Sequence, residues 1–123
     1  MLPEDDRIRL QHMLDAARKA ARLAAGRDRE DLDAEDDPLA DALVRLISVI
    51  GEAASKVSSG TCSDLDGIPW PDVVGMRNRL IHAYFDINLD ILWATVQDSL
   101  PPLVRLLESA LADDEEHPTT TPW

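Results

Sequence analysis

The chain has 123 residues, enough for one domain with a core but not for two. Hydrophobic residues make up 45% and charged residues 29%, the profile of a soluble globular chain, and no apolar run approaches the roughly 20 residues of a membrane span. The formal net charge of -12 argues at first sight against a nucleic-acid partner.

Where the charge sits matters more than its sum. Residues 28–37 hold seven acids and one arginine, and Asp113 to Glu116 add four more acids. The remaining body carries thirteen acids against eleven bases, so basic sites have room there. Cys62 is alone, which excludes a disulfide framework or a thiolate metal cluster. The first residues are acidic and lack the basic and apolar regions of a signal peptide, so a reducing cytoplasm is the expected location.

The first predicted helix runs from about Asp6 to Ala25, capped by Asp5 or Asp6. Leu10, Met13, Leu14, Ala17, Ala21 and Ala24 form its apolar stripe, and Gly26 ends it. His12 falls on the other side and reads as a surface residue. The acidic segment 27–37 is expected to be a solvated loop, because dense like charges resist packing.

A second helix starts at Asp37-Pro38, with Asp37 at the cap and Pro38 in the first helical position. Leu39, Leu43, Leu46, Ile50, Ala53 and Val57 recur at helical spacing, and Val44, Ile47, Gly51 and Ala54 lie beside them. So wide an apolar arc is covered on more than one side. Small residues at Gly51, Ala53 and Ala54 would admit a neighbouring helix closely. Glu52 and Lys56 form an i, i+4 pair on the remaining face.

Residues 58–69 are rich in turn formers and read as a loop. Trp70-Pro71-Asp72 then opens a third helix. A break at 85–88 precedes a fourth, capped by Asn88 or Asp90 and striped by Leu89, Trp93, Val96, Leu100, Leu103, Leu107 and Leu111. Pro101-Pro102 fall inside this stripe without shifting its phase, which predicts a kink. There is no strand pattern, internal repeat or Gly-rich phosphate loop. The expectation is an all-α bundle of four to five antiparallel helices over residues 1–112, with a disordered acidic tail at 113–123.

The third helix carries the chemistry. Arg77, Asn78, Arg79, His82 and Tyr84 crowd into eight residues. On a straight helix Arg77 and His82 stand roughly 140° apart, while Asn78 and His82 share a face. Arg77 and His82 reach one phosphate if the helix is distorted, if Arg77 bends around the edge, or if two chains bring their motifs together across a two-fold axis.

Four pieces of the chain resemble the HepT-like family of helical HEPN proteins. They are Leu46-x3-Ile50-Gly-Glu-Ala-x2-Lys56, then Ile68-Pro-Trp70 with Val73-Val-Gly-Met-Arg-Asn-Arg-Leu-Ile-His-Ala-Tyr84, then Leu89-Asp-Ile-Leu-Trp93, and Leu100-Pro-Pro-Leu103. The match covers about residues 38–107. The resemblance implies a bundle that dimerises, with two Arg-x4-His motifs in a shared cleft. It implies a metal-independent endoribonuclease, needing no cofactor, that is the toxin of a toxin–antitoxin pair. The antitoxin would be a minimal nucleotidyltransferase able to attach AMP to the motif tyrosine. By position, Arg77 and His82 match the catalytic pair, Asn78 the polar residue after the arginine, and Tyr84 the modified tyrosine. Glu52 matches an acidic position on the second helix, and Arg79 supports RNA binding.

These side chains suit the reaction. RNA carries its own nucleophile, the 2′-hydroxyl. His82 is of the type that moves protons near neutral pH, and Arg77 can hold two phosphate oxygens while staying charged. Which proton step His82 takes is open. Two other functions are compatible with the same residues: a non-catalytic nucleotide or RNA binder, and a helical interaction protein.

Overall fold

The computed structural model describes residues 1–83 and 86–116, with the backbone alone at 82–83 and 115–116. Its class is all-α. The first helix, α1 (Glu4–Ala24), packs against α2 (Leu39–Ser55) and against the last helical rod. On its other side α2 packs against α4 (Trp70–Leu80). Leu10, Met13, Leu43, Ile47, Ile50, Leu80, Leu92 and Leu107 meet in the middle with no exposed surface.

Helix α1 starts two residues before its expected boundary, and neither Asp5 nor Asp6 caps it. Both still sit with Glu4 in the first turn, where the helix dipole favours negative charge. Asp6 instead turns inward. It accepts from the Ser58 amide at 3.0 Å and from the hydroxyls of Ser58 and Thr61. The buried arc takes in Ala16 and Ala20 and leaves Ala21 exposed. Gly26, at φ 74°, supplies the left-handed residue that ends the helix.

The acidic segment is folded, although most of its carboxylates face water. A 3-10 turn spans Arg29–Asp33, and Leu32 is buried beneath it. Arg27 bridges Asp31 at 3.3 Å and Asp37, and Arg29 bridges Asp33 at 3.2 Å and Asp90 at 2.8 Å. Two arginines and one leucine overcome the expected repulsion. Helix α2 then begins at Leu39, with Pro38 at the cap. The Asp37 carboxylate accepts from the Leu39 amide at 3.0 Å, so Asp37 still satisfies the helix start.

Gly51 is where α2 and α4 come closest. A Cβ there would lie 3.2 Å from the Val74 carbonyl oxygen and 3.5 Å from that of Val73. The small residue is therefore what lets the α4 backbone pass, as its position predicts.

Residues 58–69 are not wholly a loop. A short helix, α3 (Ser59–Asp64), is capped by the Ser58 hydroxyl, and Thr61 is buried. Helix α4 carries Pro71 in its first turn, and the Trp70 indole donates to the Leu65 carbonyl at 3.1 Å.

The largest departure from expectation comes at the end of α4. The helix stops at Leu80 and Ile81 is extended. Strand β1 (Ile81–Ala83) pairs antiparallel with β2 (Asp86–Ile87), Ile81 opposite Ile87 and Ala83 opposite Asp86. The Asn88 amide closes the turn on the Leu80 carbonyl at 2.7 Å. Strands of two or three residues are too short to show a period of two, so the pattern gave no sign of them.

The last rod is α5 (Leu89–Ala94), a π-helical turn (Thr95–Ser99) and α6 (Leu100–Glu116). Asn88 caps α5, accepting from the Ile91 amide at 3.0 Å. The π turn deals with the prolines. The carbonyls that their rings would strike belong to Gln97 and Asp98, four residues before each. Both lie in the wider turn. From Val96 onward the expected stripe is buried, at Val96, Leu100, Leu103, Leu107 and Leu111, but before it Leu92 is buried while Leu89 and Trp93 are only partly covered. Asp113 to Glu116, expected in the tail, are helical, and Asp114 accepts from the Leu2 amide at 2.8 Å. Residues 117–123 lie outside the described part. No helix among the described residues is long and apolar enough to cross a membrane.

Candidate active site

Helix α2 buries one arc and exposes an edge that carries Arg45, Glu52 and Lys56. Arg9 and His12, one turn apart on α1, flank this edge on one side. Arg77 of α4 flanks it on the other. The six side chains line one open groove of about 560 Å³. Local sequence explains the placement. Met13, Ile47, Met76 and their neighbours bury the opposite faces, and the charged residues are left on the rim.

The charges in the groove are not equally available. Lys56 Nζ lies 3.1 Å from Glu52 Oε1, as the i, i+4 spacing implies. Both side chains are more than half exposed, so the pair adds little stability but occupies the lysine. Among the described residues Arg77 takes part in no ion pair, and neither do Arg45 and Arg9. Arg79 points elsewhere. Its guanidinium donates to the Asp72 carbonyl at 2.9 Å and lies 3.9 Å from the Asp72 carboxylate. It lines a separate hollow against Pro102 and Leu103. Asn78 is exposed on α4 and is not among the residues lining the Arg77 groove.

The helix break changes the relation of Arg77 to His82. Three of the four intervening residues are helical and Ile81 is extended, so the 140° splay does not apply and Asn78 does not share a helical face with His82. The backbone of His82 lies in β1; its side chain and Tyr84 lie outside the described residues.

His12 was legible only as a surface residue, yet it faces the same groove as Arg77. Its spacing of three from Arg9 shows that the two share a face. Which helix borders that face is a tertiary fact.

Comparison with known proteins bears on this arrangement. The family model for ribonuclease HepT-like proteins matches residues 13–110. The chain belongs to the ribonuclease HepT-like family. The matched span holds Arg45, Glu52, Lys56, Arg77 and His82, and it leaves Arg9 and His12 before its start. A protein of Caldanaerobacter subterraneus subsp. tengcongensis named "Putative RNase TTE0752" is 30% identical over 86% of this chain and 94% of its own length. "Probable ribonuclease HepT" of Thermococcus cleftensis is 37% identical over 50% of this chain and 56% of its own. "Putative RNase MJ1380" of Methanocaldococcus jannaschii is 34% identical over 54% and 62% respectively. No solved structure matches the chain.

Proposed function

We propose that this HepT-like chain is a metal-independent endoribonuclease in which Arg77 and His82 act on one RNA phosphodiester. The observation that carries the reading is Arg77, free of ion pairs among the described residues and opening into a basic groove, in a chain with twice as many acids as bases. A cation left unpaired in so acidic a protein has an anion as its natural partner. Membership of the ribonuclease HepT-like family supports an RNA phosphate as that anion.

In this mechanism the 2′-oxygen attacks the adjacent phosphorus and its proton passes to a base. The 5′-oxygen leaves and takes a proton from an acid. The products are a 2′,3′-cyclic phosphate and a 5′-hydroxyl. His82 performs one of these transfers. Arg77 holds two phosphate oxygens as negative charge builds on the phosphorane. Asn78 orients the imidazole or donates to phosphate, and Glu52 holds the neighbouring Lys56 in place.

The same reading extends to biology. The chain is proposed to act in the cytoplasm as the toxin of a toxin–antitoxin pair. It forms a two-fold dimer in which the two Arg-x4-His motifs line one shared cleft. A minimal nucleotidyltransferase is its antitoxin and places AMP on Tyr84. The domain, placed at residues 1–112 from the sequence, is proposed to extend to the end of α6 at Glu116.

The test is cleavage of single-stranded RNA in the presence of EDTA, with the new ends identified. Cyclic phosphate and 5′-hydroxyl ends are expected, at a rate unchanged by the chelator. Activity lost on chelation and restored by a divalent ion would reject the metal-free mechanism. Tight RNA binding without any cleavage would mark a binding module instead.

A further inference from the structure

We propose that Arg9, Arg45 and Arg77 form one phosphate track, in which Arg9 and Arg45 hold RNA backbone phosphates flanking the one that Arg77 engages. The inference rests on the ribonuclease reading and extends it to residues on two further helices.

Three observations converge on it. First, the three arginines come from α1, α2 and α4 and line one groove. Arg45 and Lys56 sit eleven positions apart on its α2 edge, so the groove runs for roughly 16 Å at 1.5 Å per residue. That is longer than one phosphate requires. Second, none of the three has an ion-pair partner among the described residues, whereas Lys56 in the same groove is tied to Glu52 and Arg79 outside it to Asp72. The groove thus keeps its guanidinium groups open. Third, the Arg9 Nε is buried and has no hydrogen-bond partner among the described residues. A buried donor left unmet is costly, and a planar guanidinium is shaped for two phosphate oxygens. Arg9 lies near enough to Asp6 to draw that carboxyl's pKa down, but it forms no ion pair with it, because Asp6 is turned to Ser58 and Thr61.

RNA fits this groove better than an acidic protein surface. Backbone phosphates recur at regular intervals and each can take one guanidinium, so separated arginines along a groove are used one by one. Arg9 lies before the span matched to the family, so the track joins a residue outside that span to two within it.

The experiment uses the full chain and a 2′-O-methyl RNA strand, whose blocked nucleophile keeps it intact. Binding is followed by fluorescence anisotropy across a salt series. Each phosphate contact to a single strand contributes about 0.7 to the slope of log affinity against log salt. Arg9→Gln and Arg45→Gln should each weaken binding several-fold and lower the slope by about 0.7, and the double variant by about 1.4. Arg22→Gln and Arg105→Gln, away from the groove, should change neither. Circular dichroism checks folding, and Arg45→Gln, exposed on α2, carries the test if Arg9→Gln unfolds. A slope unchanged in Arg45→Gln, or a change of oligomeric state in either variant, would overturn the track. The second result would mean that a second copy fills the groove. Because the probe is never cut, failure of the track is read separately from failure of catalysis. An unchanged slope in Arg45→Gln beside normal cleavage of ordinary RNA counts against the track alone; a lowered slope in a chain that cuts no RNA counts against the catalytic reading alone.

Discussion

Asp6 binds groups 52 and 55 residues further along the chain, and so fixes the start of α1 to the cap of α3. Burial acts to raise its pKa, but hydrogen bonds from the Ser58 and Thr61 hydroxyls and the Ser58 amide outweigh it and hold the carboxyl below its ordinary 3.8. A folded pKa below the unfolded one gives stability that is present above 3.8 and lost as pH falls through the folded value. Asp6→Asn should therefore cost about 2 kcal/mol near neutral pH, the order expected for charged hydrogen bonds. Urea unfolding should show the gap to wild type closing as pH is lowered past 3.8. A gap that stays constant into acid would mean that the carboxylate charge is not what holds α3. The sequence offered Asp6 as a helix cap because short carboxylates near helix starts usually are caps. Nothing local to residue 6 announces a partner at residue 58.

At the scale of elements, α2 was the most legible part of the chain. Its two apolar stripes, the flanking Asp37-Pro38 and the small Gly51 are local signals, and each has its counterpart in the fold. Gly51→Val should cost about 2 kcal/mol, since a branched side chain has no room beside the Val73 and Val74 carbonyls. Thermal unfolding should register a fall of roughly 6–10 °C. A neutral result would show that α4 can slide away from α2 freely. Helix α3 and the hairpin at Ile81 were not legible for a different reason. Ser59 to Asp64 consist largely of turn formers, and their helix depends on the Ser58 cap and on Asp6. The end of α4 at Leu80 depends on pairing with Asp86 and Ile87. Such contacts decide short elements that local propensity leaves undecided.

Over the whole molecule, the net charge of -12 conceals a local excess of free arginine. Several acids are spent on arginines far from the groove, as in Arg27–Asp37, Arg29–Asp90 and Arg18–Glu108. The candidate site was legible in Arg77 of α4 and Glu52 of α2, because both belong to recognisable local patterns. Arg9, His12 and Arg45 were not, because only packing brings them to the same groove. Assembly is the open dimension at this scale. A second chain was one of three ways to bring Arg77 and His82 to one phosphate; the helix ends at Leu80, so the straight-helix splay gives the dimer no support, and the proposed dimer rests on family likeness. Sedimentation at micromolar concentration should give twice the chain mass. A monomer that cleaves RNA at full rate would remove the shared cleft. Co-expression with the proposed nucleotidyltransferase antitoxin should raise the intact mass by one or more AMP units, with the gain lost in Tyr84→Phe. An unmodified chain would leave control by the antitoxin to binding alone.

The most direct measurement is the cleavage rate of single-stranded RNA by Arg77→Ala and His82→Ala beside wild type, with Arg22→Ala as an off-groove control. Losing the group that stabilises phosphorane charge, or the one that moves the proton, should each lower the rate by at least about 100-fold. Arg77→Ala should keep the helical circular dichroism of the wild type, because Arg77 lies exposed on the groove rim, and the same spectrum checks that His82→Ala is folded. Arg22→Ala should cleave normally. Folded Arg77→Ala or His82→Ala protein that cuts RNA at the wild-type rate would contradict the assignment of the site.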